Sequence, residues 1–220
     1  MAENGIGASL KRKEDNRFLT GKGNYTSDIN RPGQTHAYIV RSPHAHATIN
    51  SVDISAAKSA PGVVAVFVGQ DLLDDAVGGL VCGASVTGKG GEVNKAPPRN
   101  VLTMDKARFV GDPIAVVIAE TLAQAKDGAE LVAIDYSELP STVSTATSDA
   151  DGAPQLHEEC PNNVALDWEL GDQAAVDAAF AAAHKTAEVE LVNNRMVTNA
   201  MEPRAAVGEY NSGTDETTLY

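Results

Sequence analysis

The chain has 220 residues, of which 43% are hydrophobic and 21% are charged. This length fits one large domain or two smaller ones, and the composition is typical of a globular protein, which argues against global disorder. Seventeen basic residues against thirty acidic ones give a formal net charge of −13. So acidic a chain has no general attraction to nucleic acid or to an anionic lipid surface. No apolar run approaches the roughly 20 residues that a membrane helix needs, so we expect no membrane insertion.

The N-terminus and the two cysteines favour a cytoplasmic location. Residues 1–13 lack the apolar run of a secretion signal. Cys82 and Cys160 are far apart and outside any CxxC spacing, which excludes a disulfide scaffold and a zinc site built on cysteines. The polar and charged residues 1–16 are predicted to form a flexible N-terminal arm.

Residues 17–140 are predicted to form a mixed α/β domain, because strand and helix patterns alternate along them. A short helix is expected over 56–60, before the turn at Pro61-Gly62. Thr121 can cap a longer helix over 122–131, with Leu122, Ala125, Ala129 and Leu131 near one face. The predicted strands are 35–42, 47–54, the buried strands 63–68 and 114–119, and 132–136, and regular structure is expected to return at 101–104.

Residues 69–100 differ from their surroundings, since glycine and proline punctuate them and little periodicity is present. We predict a long loop or flap here. Loops of this length inside compact domains are usually functional or partner-bound. The hypothesis is that the flap contacts a partner subunit or shields a cofactor.

A linker is predicted over 141–159, and a second, incomplete unit over 160–220. Its predicted helix is 174–183, and its predicted strands are 163–170, 186–192, 204–210 and one that begins at 216. About 60 residues supply little core by themselves. The last strand has no evident end, so we expect the native chain to continue and residues 160–220 to expose apolar surface.

Two short patterns could bind a cofactor or a metal. Gly21-Lys22-Gly23 lacks the third glycine of a dinucleotide fingerprint, because Thr26 stands there. A turn that needs a positive φ is the better interpretation. His44 and His46 would share one side of an extended backbone and could be two metal ligands. No third histidine or nearby carboxylate is evident in the sequence, so we favour structural histidines.

The remaining candidates also favour ordinary roles. Ser42 and Ser85 are not in the G-x-S-x-G context of a hydrolase, and the pairs Asp74-Asp75 and Glu158-Glu159 are interpreted as solvated loop charges. Glu202 and Arg204 flank Pro203, whose fixed φ places them on either side of a rigid turn. A local ion pair that positions a strand is favoured over a substrate-channel carboxylate. On this evidence, no residue of the sequence is assigned a catalytic, cofactor-binding or metal-binding role.

Five stretches together resemble one protein family. They are 17–25 (RFLTGKGNY), 40–47 (VRSPHAHA), 109–117 (FVGDPIAVV), 135–140 (DYSELP) and 199–207 (NAMEPRAAV). They resemble the N-terminal part of the large, molybdenum-binding subunit of the xanthine dehydrogenase, aldehyde oxidase and aerobic carbon monoxide dehydrogenase family. The opening and the string Arg41 to Ala47 look closest to the carbon monoxide dehydrogenase-like branch.

The resemblance implies an α/β (α+β) fold with an α/β hammerhead domain over 17–140, followed by the start of a molybdopterin-binding domain. For the whole subunit it implies oxidative hydroxylation or carbon monoxide oxidation at a molybdopterin-type molybdenum cofactor. Electrons would then pass through 2Fe-2S clusters to FAD. The family's cofactor-contacting and catalytic segments lie beyond Tyr220, so the segment alone is expected to be inactive.

The favoured branch also implies partners. A small iron-sulfur subunit and a medium FAD subunit would carry the other cofactors, in a dimer of heterotrimers. The alternative hypothesis is a stand-alone, non-catalytic binding or assembly module with the hammerhead fold. A third hypothesis is a nucleotide-binding domain, but this chain lacks the glycine motif of such domains. The substrate, whether carbon monoxide, an aldehyde, a purine or another N-heterocycle, is not fixed by this sequence.

Overall fold

The computed structural model describes residues 6, 9–193, 199–201 and 203–220, which divide into two compact units. One unit is 35–186 and the other combines 1–34 with 187–220. None of the helices in the described ranges is long and apolar enough to cross a membrane. The helices are α1 (Asp15–Leu19), α2 (Ser55–Lys58), α3 (Gly69–Asp74), α4 (Leu122–Glu130) and α5 (Gln173–Ala182). The strands are β1 (His36–Arg41), β2 (Ala47–Asp53), β3 (Val63–Val68), β4 (Lys106–Ala107), β5 (Pro113–Ala119), β6 (Ala133–Glu138), β7 (Gly208–Asn211) and β8 (Glu216–Leu219).

Strand β5 is the centre of the unit 35–186. It pairs antiparallel with β1 on one side and with β3 on the other. Its apolar run explains this position, since a strand covered on both faces needs apolar side chains throughout. Ile114 and Val117 are fully buried. Pro113 is the first residue of the strand, where a missing N–H costs least.

Helix α4 covers this sheet and closes its core. The Thr121 side chain accepts a hydrogen bond from the Gln124 N–H at 3.2 Å, which is the cap that the sequence predicted. At Gly128 a Cβ atom would approach the side chains of Val63 and Val117 at 2.8 and 3.1 Å. The helix therefore approaches the sheet closely because this position has no side chain. The buried cluster beneath it consists of Ala57, Val66, Val117 and Ala129.

A second three-stranded sheet has the order β4-β2-β6, with both pairs antiparallel. Its register places Ala47 opposite Ala107 on one side and opposite Glu138 on the other. The chain just before β2 therefore lies beside the chain that leaves β6. This arrangement brings the histidines at 44 and 46 close to residues 136–140.

Three predictions for this unit were wrong in detail. Helix α3 occupies 69–74 inside the predicted loop, because the Asp71 carboxylate accepts the Val68 N–H at 2.7 Å and satisfies the first turn. Residues 101–104 form no strand; the Thr103 N–H bonds to the Pro113 carbonyl, and the strand begins at Lys106. Strand β3 is only partly buried, since it is an edge strand and the Val64 side chain is 60% exposed.

The predicted apolar face of α4 was also only half right. Ala125 and Ala129 are buried, but Leu122 and Leu131 are each 46% exposed. The small residues Ala125, Gly128 and Ala129 face the sheet because close approach leaves no room for a leucine there.

The unit of 1–34 and 187–220 contains the β7–β8 hairpin. The Arg31 side chain contacts this hairpin. Its guanidinium donates to the Tyr220 hydroxyl at 2.6 Å and lies 3.6 Å from the Glu209 carboxylate. Within the predicted arm, Asp15 and Asn16 already belong to α1. Residues 1–5, 7 and 8 lie outside the described residues.

Two strands predicted beyond residue 160 do not form. In 163–170, Asn162 and Asn163 both have positive φ, and the backbone carbonyls of Ala165 and Asp167 accept bonds from the loop at 89–95. The segment 186–192 has the alternating pattern of a strand but pairs with no strand among the described residues, and Leu191 is 84% exposed. A period-two pattern cannot form a strand without a neighbouring strand. The predicted strand 204–210 is shorter, since β7 begins at Gly208.

Candidate functional site

One concave site within the unit 35–186 is a cleft of about 400 Å³. We call it the arginine cleft, because Arg41, Arg99 and Arg108 line it, and these are all the arginines between residues 35 and 186. Its remaining walls are Leu80, Pro97, Pro98, Asn100, Val101, Thr103, Asp105, Phe109, Asp112, Pro113 and His157. The volume is in the range of small-molecule sites.

Two of the three guanidinium groups are held by neutral backbone carbonyls. Arg41 donates from Nη1 to the Gly111 carbonyl at 2.8 Å. Arg108 donates from Nε to the Leu156 carbonyl at 2.9 Å and from Nη1 to the Lys106 carbonyl at 3.1 Å. These bonds fix the side chains without neutralising their charge. A guanidinium has five N–H groups, so each retains donors for another partner.

Asp112 organises the floor of the arginine cleft. Its carboxylate is 7% exposed and accepts the Thr103 hydroxyl at 2.7 Å and the Arg108 N–H at 3.0 Å. The turn before it places Gly111 at φ 95°, a left-handed conformation that favours glycine. Residues 109–113 therefore form a turn before β5, with the aspartate turned inward.

His157 adds a partly buried imidazole to the cleft. Burial lowers the pKa of His157 from its usual value of 6.5, and the nearby Arg108 charge lowers that pKa further. The carboxylates of Glu159 and Asp112 act in the opposite direction but do not reverse the shift. The ring is therefore neutral near pH 7 and can donate one hydrogen bond and accept one.

The two predicted histidines have different surroundings. His46 is 7% exposed, and its Nδ1 donates to the Pro140 carbonyl at 2.7 Å, which ties the start of β2 to the end of β6. This is the structural role that the sequence predicted. His44 lies 3.1 Å from the Glu138 carboxylate and packs against the Tyr136 ring. The sequence had shown no carboxylate near these histidines, because Glu138 is remote along the chain.

Two polar atoms beside this pair are buried without a hydrogen-bond partner among the described residues. They are His46 Nε2 and the Tyr136 hydroxyl oxygen. Burial raises the pKa of Tyr136, because it disfavours the phenolate. Buried polar atoms of this kind are usually satisfied by water. Within the described ranges, no group of three or more His, Cys, Asp or Glu side chains could hold a metal ion.

The serines and loop acids have the ordinary positions that the sequence indicated. Ser42 is buried, and its hydroxyl accepts the His44 N–H at 3.0 Å in a local turn. Ser85 is exposed, as are the acid pairs 74–75 and 158–159. Gly21 has a φ of 70°, as expected for a turn. Glu202 lies outside the described residues, so its pairing with Arg204 stays a prediction.

The loop at 75–100 docks on the segment that follows the predicted linker. The Lys89 N–H donates to the Asp167 carbonyl at 2.8 Å, and the Lys95 N–H donates to the Ala165 carbonyl at 2.8 Å. A Cβ on Gly88 would collide with the same Asp167 carbonyl oxygen. The loop therefore has a fixed course, and its C-terminal part forms one wall of the arginine cleft.

Sequence reasoning missed the arginine cleft. Its arginines come from the end of β1, the loop before residue 100 and the end of β4, and His157 comes from beyond β6. One available signal was the placement of Arg108 immediately before the 109–113 turn. Nothing local in the sequence indicates that Arg99 or His157 would join it.

One concave surface within 156–220 does not fit an anionic pterin cofactor. The concave surface at 169–176 is lined by the carboxylates of Glu169 and Asp172 and by neutral residues. These carboxylates would repel the phosphate of such a group. Residues that hold a molybdenum cofactor are therefore not assigned within this chain.

Comparisons with known proteins match the whole chain to one family. The family model described as "Aldehyde oxidase and xanthine dehydrogenase, a/b hammerhead domain" matches residues 20–140, and that of the "Molybdopterin cofactor-binding domain" matches 156–220. The large subunit of nicotine 6-hydroxylase from Paenarthrobacter nicotinovorans is 35% identical, over 100% of this chain and 26% of that protein. The carbon monoxide dehydrogenase large chain of Afipia carboxidovorans is 33% identical, over 98% and 27% respectively.

Solved structures give the same result. A Cu,Mo-CO dehydrogenase in its carbon monoxide reduced state is 32% identical, with a TM-score of 0.80 over 98% of this chain and 27% of that chain. Quinoline 2-oxidoreductase from Pseudomonas putida 86 is 30% identical, with a TM-score of 0.81 over 97% and 26%. The chain thus spans about a quarter of the length of these relatives and corresponds to their N-terminal part. The hammerhead fold that the sequence predicted is confirmed, and the chain belongs to the aldehyde oxidase and xanthine dehydrogenase family.

Proposed function

We propose that this chain is the N-terminal segment of the large subunit of a molybdenum-dependent oxidoreductase. In the complete subunit, a molybdopterin-type cofactor supplies the redox chemistry of oxidative hydroxylation or carbon monoxide oxidation. The observation that carries the proposal is the pair of family matches, which follow one another in order over 20–140 and 156–220. Because the chain spans about a quarter of the length of its relatives, we propose that the segment alone is inactive.

The exposed apolar surface beyond residue 160 supports this proposal. Helix α5 has no buried residue, and the Phe180 side chain is 63% exposed. Exposed apolar side chains, when they are numerous, often mark surfaces that another part of a protein covers. The other exposed apolar residues of this region are Leu166, Trp168, Leu170, Val176, Val189, Leu191, Val192, Met201, Tyr210, Leu219 and Tyr220. This agrees with the expectation stated from the sequence.

The organisation of the complex is part of the same proposal. An FAD-binding medium subunit and a 2Fe-2S small subunit would accept the electrons, in a cytoplasmic dimer of heterotrimers. Relatives named as a large subunit, a large chain or a "subunit gamma" support a multi-subunit assembly. The domain boundaries are proposed as an arm at 1–16, the hammerhead domain at 17–140, a linker at 141–159 and the start of the molybdopterin-binding domain at 160–220.

The loop at 69–100 is proposed to contact a partner subunit or to shield the cofactor. Its fixed course against 165–167 supports a role as a preformed surface. Deleting residues 76–98 from the complete enzyme should then reduce assembly or activity. Unchanged assembly and activity would contradict this role.

The test of the proposed function is the intact mass of the protein purified from its native source, with metal analysis of the same fraction. We expect a mass several-fold above the 22.9 kDa of this chain, with molybdenum, iron and flavin in the purified complex. Activity should then be assayed with carbon monoxide, quinoline and nicotine, the compounds that the names of its relatives suggest. A mass of 22.9 kDa without molybdenum would instead support the stand-alone binding or assembly module.

A further inference from the structure

We propose that the arginine cleft binds a small organic oxyanion, a carboxylate or phosphate group attached to a compact apolar body. This inference does not depend on the proposed molybdenum chemistry. It rests on the placement of the positive charge, on the way that charge is held, and on the composition of the walls.

The placement of positive charge is the first argument. The chain is acidic overall, with a net charge of −13, yet every arginine between residues 35 and 186 lines this one cleft. Arginine presents planar N–H donors that match two oxygens of a carboxylate or phosphate.

The second argument is that the positive charge of the cleft exceeds its negative charge. Arg41 and Arg108 are anchored by backbone carbonyls rather than by carboxylates. The Asp112 carboxylate is engaged with Thr103 and the Arg108 N–H. Asp105 lies 3.9 Å from the Arg108 guanidinium, but its side chain is 75% exposed, so solvent weakens this pair. Three arginines thus face two carboxylates, Asp105 and Asp112, in the wall of the cleft, which leaves an excess of positive charge.

The third argument concerns the rest of the wall. Leu80, Pro97, Val101 and Phe109 give the cleft apolar wall surface in addition to its charged groups. The Phe109 ring is 47% exposed although it stands beside the buried Asp112 turn. A ligand with an apolar body would cover this surface while its oxyanion met the arginines. A simple hydrated ion has no apolar surface to bury against these side chains.

The test uses the full chain and calorimetric titration with benzoate and phenyl phosphate, with benzyl alcohol as the neutral probe. We expect saturable binding of at least one anion in the millimolar range or tighter, and none of the alcohol. The comparison of benzoate with phenyl phosphate identifies the preferred oxyanion. Arg99→Gln should weaken binding about ten-fold, because one charge-assisted pair is lost. Arg99 is exposed, so this substitution should not disturb folding.

Arg12→Gln is the matched control, because it makes the same chemical change at a side chain that is 85% exposed and outside the cleft. It should leave affinity unchanged. Arg41→Gln gives a second test and should weaken binding as Arg99→Gln does. Circular dichroism of each variant confirms that the fold is retained.

Nuclear magnetic resonance of the His157 ring adds an independent readout. The charged groups that act on this imidazole are Arg108, Glu159, Asp112 and His46. An oxyanion beside Arg108 would offset its charge, so the His157 resonance should titrate at higher pH when the ligand is present. The proposal is overturned if neither anion binds at millimolar concentrations or if Arg99→Gln leaves affinity unchanged. Inorganic phosphate that binds as tightly as phenyl phosphate would overturn the role of the apolar wall.

Discussion

Replacing Asp112 with asparagine tests whether the turn before β5 depends on a buried carboxylate. In the native chain, one carboxylate oxygen accepts the Thr103 hydroxyl at 2.7 Å and the other accepts the Arg108 N–H at 3.0 Å. Both partners are donors, and the residue is 7% exposed. An asparagine has one acceptor oxygen and one NH2 group, so one donor must face another donor.

The expected cost follows from these two bonds. A hydrogen bond to a charged group contributes about 1.5 to 3 kcal/mol, and a buried donor left without a partner costs about 1 to 3 kcal/mol. The Thr103 hydroxyl can rotate and relieve part of the conflict. We therefore expect Asp112→Asn to lower the free energy of unfolding by about 2 to 4 kcal/mol. In urea this corresponds to a shift of the midpoint by about 1 to 2 M.

The assay is urea unfolding of the full chain followed by far-UV circular dichroism. Asp149→Asn is the matched control, because it removes the same charge at an exposed loop position and should change stability by less than about 0.5 kcal/mol. Thr103→Val and the double variant complete a mutant cycle with a coupling energy of about 1 to 2 kcal/mol. An Asp112→Asn variant as stable as the Asp149→Asn variant would refute the reasoning.

Three further predictions concern the unit 35–186 and use the same unfolding assay. Val117→Ala should cost about 2 to 3 kcal/mol because Val117 is fully buried, whereas an equal loss from Val64→Ala at the exposed edge would show that burial is not the cause. Thr121→Ala should cost about 1 kcal/mol by removing the cap of α4, and Thr121→Ser should restore most of it if the hydroxyl is responsible. Burial lowers the pKa of His157, so the unfolded chain takes up the proton first and stability should fall as the pH drops below about 6.5. His157→Gln should flatten that slope, and a slope identical to that of the wild type would contradict the assignment.

The local parts of the fold could be predicted from the sequence. Strand β5 and helix α4 were placed within about a residue, because a continuous apolar run and a threonine cap are signals that a short window contains. The Asp112 turn was visible for the same reason, since glycine and proline constrain the backbone on either side of it. The inward position of the Asp112 carboxylate could not be predicted, because its hydrogen-bond partner Thr103 reaches it only through the tertiary fold.

The arginine cleft could not be predicted from local patterns. Arg41, Arg99, Arg108 and His157 span more than a hundred residues of sequence, and each looks like an ordinary surface residue in its own window. The antiparallel pairing of β1 with β5 brings Arg41 to Gly111. The Leu156 carbonyl then fixes Arg108 from a third segment. A site assembled by strand pairing becomes visible only once the register is known.

The contrast between α5 and its neighbours explains why residues beyond 160 were harder to predict. Helix α5 forms as expected because its signals are internal: Asp172 caps it by accepting the Ala175 N–H at 3.0 Å, and an alanine-rich sequence favours a helix. The predicted strands 163–170 and 186–192 cannot form from internal signals alone, because a strand is stabilised by hydrogen bonds to another strand. Without a neighbouring strand among the described residues, apolar side chains such as Leu191 are exposed. Their exposure and the missing strands therefore have one physical cause, which is consistent with a chain that spans about a quarter of its relatives.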